Sequence, residues 1–155
     1  MTNIQVRQAT PDDAQTIADF NAAMALETED KILEPKVIGN GVRRLFDTPE
    51  LGFYLVAESV SGTKKSVIAC LMITYEWSDW RDGLFWWIQS VYVAPDARRL
   101  GAFKALYQHV ESLAQQDSTV CGIRLYVEQE NTRAQNTYLS LGMQKTNYHL
   151  YEALF

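Results

Sequence analysis

The stretch SVYVAPDARRLGAFKAL, residues 90–106, changes character halfway along. It starts as an apolar run, breaks at Pro95, carries Arg98 and Arg99 side by side, reaches Gly101 and turns amphipathic. Phe103, Leu106, Tyr107, Val110, Leu113 and Ala114 recur with a 3.6-residue period, which predicts a helix over 101–116. A helix N-terminus offers unpaired N–H groups and a partial positive charge, so it favours an anion. Two arginines and a glycine at that mouth suit a pyrophosphate. Read alone, RRLG is equally well a solvated loop with an incidental glycine.

Working outward, LFWWIQSVYV (84–93) is too apolar and aromatic to expose a face and reads as a buried strand. GIRLYVE (122–128) reads as another. A strand–helix–strand unit over 84–128 implies a parallel pair with a right-handed crossover. Upstream, FYLVAES (53–59) and SVIACLMITYEW (66–77) flank SGTKK and predict a hairpin turning at Gly62. NIQVRQA (3–9) alternates as a half-buried strand does, and Thr10-Pro11-Asp12-Asp13 opens a helix continued by Ala14, Ile17, Ala18, Met24 and Ala25, with Asn21 as an interruption. A second helix begins near Pro35 on Val37, Ile38, Val42, Leu45 and Phe46; Gly39 and Gly41 weaken it, so a short or mobile piece is expected. Asn131 caps a further helix that ends at Gly142, and a final strand pair is expected around MQKTNY and HLYEALF. The expected fold is therefore an α/β mixed sheet, mostly antiparallel with one parallel βαβ unit, helices on both faces, in a single domain over 1–155.

Composition narrows the function. With 47% hydrophobic and 21% charged residues, the 155-residue chain has the make-up of a globular protein with one core. A net charge of −5 argues against a nucleic-acid partner, which wants a basic face. The start MTNIQVRQAT has no apolar signal core, and no apolar run reaches the roughly 18 residues of a membrane span, so a cytoplasmic protein with no membrane partner is expected. Cys70 and Cys121 sit in apolar runs without CxxC spacing and read as buried hydrophobes of a reducing compartment. His109 and His149 lack a partner at helical spacing, so no metal site is expected.

Two segments carry a family resemblance. SVYVAPDARRLGAFKAL matches a strand, then Q/R-x-x-G-x-G/A, then a helix, with Arg98 and Gly101 in the first two defining places and Phe103 where Gly or Ala is usual. LYVEQENTRAQNTYLSLGM matches a strand, an Asn, then Ala and Tyr in the following helix and a Leu-Gly-Phe-like end, here Asn131, Ala134, Tyr138 and Leu141-Gly142-Met143. In this order, about 30 residues apart, they resemble the GNAT superfamily of acyl-CoA-dependent N-acyltransferases, and IQVRQATPDDAQTIADF resembles its first strand and helix. The resemblance covers nearly the whole chain.

It implies acetyl-CoA as the acyl donor. Backbone groups of Val91, Tyr92 and Val93 would pair with the pantetheine arm, and amides over Arg99, Leu100, Gly101, Ala102, Phe103 and Lys104, with Arg98 and Arg99 nearby, would hold the pyrophosphate. Asn131 would fix the cofactor arm and Tyr138 would protonate the departing thiolate. A phenol of pKa near 10 suits a thiol of pKa about 8.5 as proton donor. Without the resemblance, Tyr138 reads as core packing.

The acceptor side is less defined. A primary amine of pKa about 10.4 is neutral in roughly one part in 2,500 at pH 7, a cost of about 4.6 kcal/mol for a nucleophile unless a base or desolvation helps. A YEWSDWRDGLFWWIQSVYV-like region in diamine acetyltransferases supplies a Glu on the central strand; here Gln89 stands there and cannot act as a base. Glu76 and Glu128 are the candidate bases, with Glu27 and Glu29 on the helical lid. ALETEDKILE and YEWSDWRDG bring Glu27, Glu29, Glu34, Glu76, Trp77 and Trp80 to the acceptor side, and carboxylates with tryptophan faces suit a small cationic amine, polyamine- or amino-acid-like. Equally, those acids merely solvate two surface segments. Alternatives to a small-amine N-acetyltransferase are a non-catalytic acyl-CoA-binding module and an enzyme acting on a protein lysine or N-terminus. Trp86, Trp87 and the C-terminal strands offer apolar surface for a homodimer.

Overall fold

The computed structural model describes residues 2–155. The chain divides into two compact units, one running to Leu125 and the other from Tyr126 to Phe155. The first holds β1 (Asn3–Gln8), α1 (Ala14–Glu29), α2 (Pro35–Asp47), β2 (Gly52–Ser61), β3 (Lys64–Ser78), β4 (Gly83–Val93), α3 (Ala102–Gln116) and β5 (Val120–Arg124). The second holds α4 (Thr132–Ser140).

The strands lie in chain order, β1-β2-β3-β4-β5. The first three pairings are antiparallel and β4–β5 is parallel, joined through α3. This is the expected mixed sheet with one βαβ crossover. Each strand splits its side chains between two layers. Tyr54, Val56, Cys70 and Tyr92 pack with Ile17, Ala18, Val42 and Leu45 of α1 and α2, with Met72 against them. Leu55, Ala57, Ala69, Leu71, Ile73 and Ile88 point the other way and are fully or almost fully buried. α3, which packs against every strand, buries Leu106, Tyr107, Val110 and Ala114.

Local chemistry explains the element ends. Pro11–Asp13 forms a 3₁₀ turn in which the Thr10 amide donates to Asp13 Oδ2 at 2.8 Å, and α1 starts directly after it. Asn21 does not interrupt α1: it is buried, and its Nδ2 donates to the Ile17 carbonyl at 2.9 Å, one turn back. α2 is likewise unbroken through Gly39 and Gly41, because the Glu34 side chain accepts from the amides of Lys36 and Val37 and Val42 and Leu45 bury its inner face. At the start of β2, Gly52 is indispensable, since a Cβ there would collide with the Ile73 carbonyl.

Three further expectations change. The strand expected over 122–128 covers Val120–Arg124, its length set by the parallel ladder, which ends at Trp87↔Arg124. No strand forms over 143–155 among the described residues; alternation supplies a pattern but not a partner, and Tyr148, Leu150, Tyr151, Leu154 and Phe155 are exposed. Cys121 is exposed rather than buried, whereas Cys70 is buried, with burial pushing its thiol up to about 12. Among the described residues no helix is long and apolar enough to cross a membrane.

Candidate active site

β4 carries an irregularity that shapes everything near it. Its pairing with β3 runs Cys70↔Tyr92 and then Met72↔Gln89, so Leu71 alone faces both Ser90 and Val91. Ser90 takes the left-handed conformation, φ 52°, and the Cys70 thiol donates to its carbonyl at 3.8 Å. Such a bulge reverses the side-chain alternation beyond it. Gln89 and Tyr92, three apart, consequently share the α1/α2 face.

The two edges of β4 also end differently. Pairing to β3 continues to Val93↔Ala69, while pairing to β5 ends at Trp87↔Arg124. Val91, Tyr92 and Val93 therefore lie past the end of the β5 ladder. The Ala94 amide donates to the Ile68 carbonyl on β3 at 2.8 Å. In a planar trans peptide the carbonyl points opposite to the N–H, so the Val93 carbonyl faces the edge that β5 has left.

A 3₁₀ turn, Pro95–Ala97, leads from that edge to α3. Arg99 and Gly101 both have positive φ, 65° and 87°. Gly101 is the N-cap of α3, no side chain caps the helix, and a Cβ on Gly101 would meet nothing within 4 Å. The amides opening α3, from Ala102 through Phe103 to Lys104, are thus presented over an open approach. Leu100 and Lys104 are exposed, and the Phe103 ring packs toward Tyr107 with centroids 6.3 Å apart. A strand edge with an outward carbonyl, followed by an uncapped helix start, fits a long ligand with amides at one end and phosphates at the other.

Around this edge the structure brings Glu27 of α1 to Arg98 and Tyr92. Arg98 Nη2 donates to Glu27 Oε2 at 2.7 Å and the Tyr92 hydroxyl donates to Glu27 Oε1 at 3.0 Å. Arg98 Nε donates to the Val93 carbonyl at 3.0 Å, and its guanidinium lies over the Tyr92 ring at 5.6 Å. These bonds hold the Glu27 carboxyl below the usual carboxylate range, the Arg98 hydrogen bond first. Burial, then the bond to Glu27, pushes the Tyr92 phenol up.

The opposite end of the same β4 face holds the other candidate base. Glu76 Oε1 accepts from Arg124 Nη1, and the Arg124 guanidinium stacks on Phe85 at 3.5 Å. Gly122 leaves room for that ring, since a Cβ there would lie 2.8 Å from Phe85 Cε1. Between the ends, Gln89 Nε2 donates to Thr74 Oγ1 at 2.6 Å. Phe85 and Tyr92 stand roughly 20 Å apart along the strand at about 3.3 Å per residue. The acceptor acids expected to share a pocket are thus anchored at two ends of one face, each by an arginine. Glu29 is exposed, and Trp77 and Trp80 stand out from the end of β3 and the following turn. Arg124 was not foreseen; the signal for it lay in its place at the end of the strand after the helix.

In the second unit, Asn131 Oδ1 accepts from the Ala134 amide at 3.1 Å and so caps α4. Gln135 Nε2 donates to the carbonyls of Glu128 and Gln129, and Glu128 Oε2 accepts from the Glu130 amide. Burial pushes the Tyr138 phenol up.

Comparison with known proteins bears on all of this. Residues 18–143 match the model of the acetyltransferase (GNAT) family. The fold is similar to that of a possible acetyltransferase from Clostridium difficile 630, with 43% identity over 98% of this chain and 97% of that one, TM-score 0.90. It is also similar to a predicted acetyltransferase with acetyl-CoA from Clostridium acetobutylicum, 16% identical over 97% and 96% of the two chains, TM-score 0.76. A third similar structure is the ribosomal-protein-alanine N-acetyltransferase of Brucella melitensis biovar Abortus 2308, 16% identical over 99% of each chain, TM-score 0.77. The last two share the fold alone. No curated protein matches the chain.

Proposed function

The chain belongs to the GNAT acetyltransferase family, and we propose that it transfers the acetyl group of acetyl-CoA to the nitrogen of a small cationic primary amine. The observation that carries this reading is the continuity of the β4 edge past the β5 ladder with the uncapped start of α3. The C. acetobutylicum relative with acetyl-CoA supports the choice of donor.

In this reading Val91, Tyr92 and Val93 supply the extended backbone that aligns the donor arm, and amides of residues 99–104 meet its pyrophosphate. Acetyl-CoA supplies an activated thioester. The chain's own work is to orient it, to take a proton from the ammonium, and to give one to the sulfur that leaves. Tyr138, a phenol that like any tyrosine is protonated at neutral pH, is the proposed donor to sulfur. Glu76, directly or through water, is the proposed acceptor of the amine proton; Arg124, stacked on Phe85, holds its carboxylate, while Trp87 and Gln89 complete the same strand face. Glu128 is the alternative base. Trp77 and Trp80 offer ring faces to the acceptor cation.

The test is CoA release from acetyl-CoA with polyamines, amino acids, aminoglycosides and a lysine peptide, for wild type and Tyr138→Phe in parallel. Turnover with one amine class, lowered about tenfold or more by the substitution, is the expected result. Acetyl-CoA binding without turnover on any amine would instead favour a non-catalytic module, and turnover on the peptide alone a protein acceptor.

A further inference from the structure

Glu27 belongs by sequence position to the acceptor lid, yet both its carboxylate oxygens are engaged at the donor edge, one by the Tyr92 hydroxyl and one by Arg98. Tyr92 faces α1 only because the bulge at Ser90–Val91 turns it there. Phe20 packs on the Tyr92 ring with centroids 5.1 Å apart, and Phe20 and Glu27 are seven residues apart, on one face of α1. Arg98 in turn bonds the outward Val93 carbonyl, closing a loop across the turn that separates β4 from α3.

We propose that Glu27 is a positioning residue for the acyl-donor edge rather than a ligand of the acceptor amine. Through Arg98 and Tyr92 it fixes the end of β4 against the start of α3. A donor that touches both the strand edge and the helix start gains affinity when their spacing is preset, because less ordering is left to be done on binding. Arg98 then serves as a brace between α1 and β4, and its charge reaches the phosphates second to the backbone amides of α3. This inference rests on the reading of the β4 edge as the acetyl-CoA site.

The experiment measures acetyl-CoA affinity by calorimetry, together with KM for donor and amine, in wild type, Glu27→Gln, Glu27→Ala, Arg98→Ala and the double variant Glu27→Ala/Arg98→Ala. A thermal melt of each confirms folding. Expected is a donor Kd and KM raised about fivefold in Glu27→Ala and Arg98→Ala, less in Glu27→Gln, with the double variant little worse than either single one, as for two members of one network. KM for the amine stays unchanged. A second readout needs no ligand: the Arg98 Nε–H proton resonance, sharp in the wild type, broadens in Glu27→Ala. A raised amine KM with donor affinity intact would overturn the inference and return Glu27 to the acceptor. Additive effects of Glu27→Ala and Arg98→Ala would overturn it too. Wild type that binds no acetyl-CoA would overturn the functional reading itself, a result distinct from either.

Discussion

Arg7 and Arg98 each tie together elements that are distant in sequence, and their surroundings differ. Arg7 grips Asp13 with two nitrogens, at 2.8 and 3.0 Å, and Glu58 with Nε at 2.9 Å, so β1, the entrance to α1 and β2 are joined. Both carboxylate side chains are only 9% exposed. The Arg98–Glu27 pair is 46% and 41% exposed. A buried carboxylate that loses its arginine is left uncompensated in low dielectric, whereas an exposed one recovers water. The same pairing chemistry therefore joins buried elements of the fold in one place, and in the other, in the proposed reading, sets the geometry of the donor edge.

The sharpest way to break this comparison is to delete each arginine. Arg7→Ala leaves the buried Asp13 carboxylate without a cation and Glu58 with only Lys65 Nζ at 3.9 Å, and is expected to cost about 3 kcal/mol. In a domain of this size that lowers Tm by roughly 6–12 °C in a calorimetric scan. Donor affinity should be unaltered in the protein that remains folded. A loss of under about 1 kcal/mol, typical of surface pairs, would remove the distinction.

Acid titration sharpens the same contrast. The Arg7 hydrogen bond holds the Asp13 carboxyl below its ordinary range. A depressed folded value means that the stabilisation is complete above the unfolded value of about 4 and is lost as pH falls through the lower folded value. Chemical denaturation at a series of pH values should show this acid-side loss in wild type and a flatter profile in Arg7→Ala. Identical profiles would show that Asp13 is not the group responsible.

A smaller effect on stability is expected at the other arginine. Arg98→Ala should move Tm by no more than about 4 °C, while the affinity for acetyl-CoA falls. Smallest in energy, but easily counted, is thiol reactivity. Cys70, buried beneath the bulge with its thiol pushed up to about 12, should resist alkylation that exposed Cys121 accepts. One thiol should react in the native protein and two in denaturant; two in the native state would mean that the β3–β4 layer opens readily.

The sequence shows what is local. Residues 84–116 announce a buried strand, a break at Pro95 and an amphipathic helix, and the glycine and arginines between them mark the α3 entrance. The hairpin at Gly62 and the helix before Gly142 are signalled by the same turn chemistry. What escapes is pairing. Nothing in IQSVYV distinguishes a regular strand from one with a bulge at Ser90, so the face that Tyr92 occupies was hidden. Glu27–Arg98 and Glu76–Arg124 join positions 71 and 48 residues apart, and a lone chain gives no hint of which carboxylate each arginine selects. Residues 143–155 show the converse: alternating apolar residues read as strands, but a ladder needs a neighbour that the local pattern does not specify. Gly39 and Gly41 suggested a weak helix, and tertiary burial of Val42 and Leu45 outweighs their propensity.

The most direct measurement is an amide NMR titration of the whole protein with coenzyme A. The largest shifts are expected on Val91, Tyr92 and Val93 and on Gly101 through Lys104, with smaller changes at Glu27. Binding that shifts other amides and leaves β4 and the start of α3 untouched would contradict it, as would no binding at all.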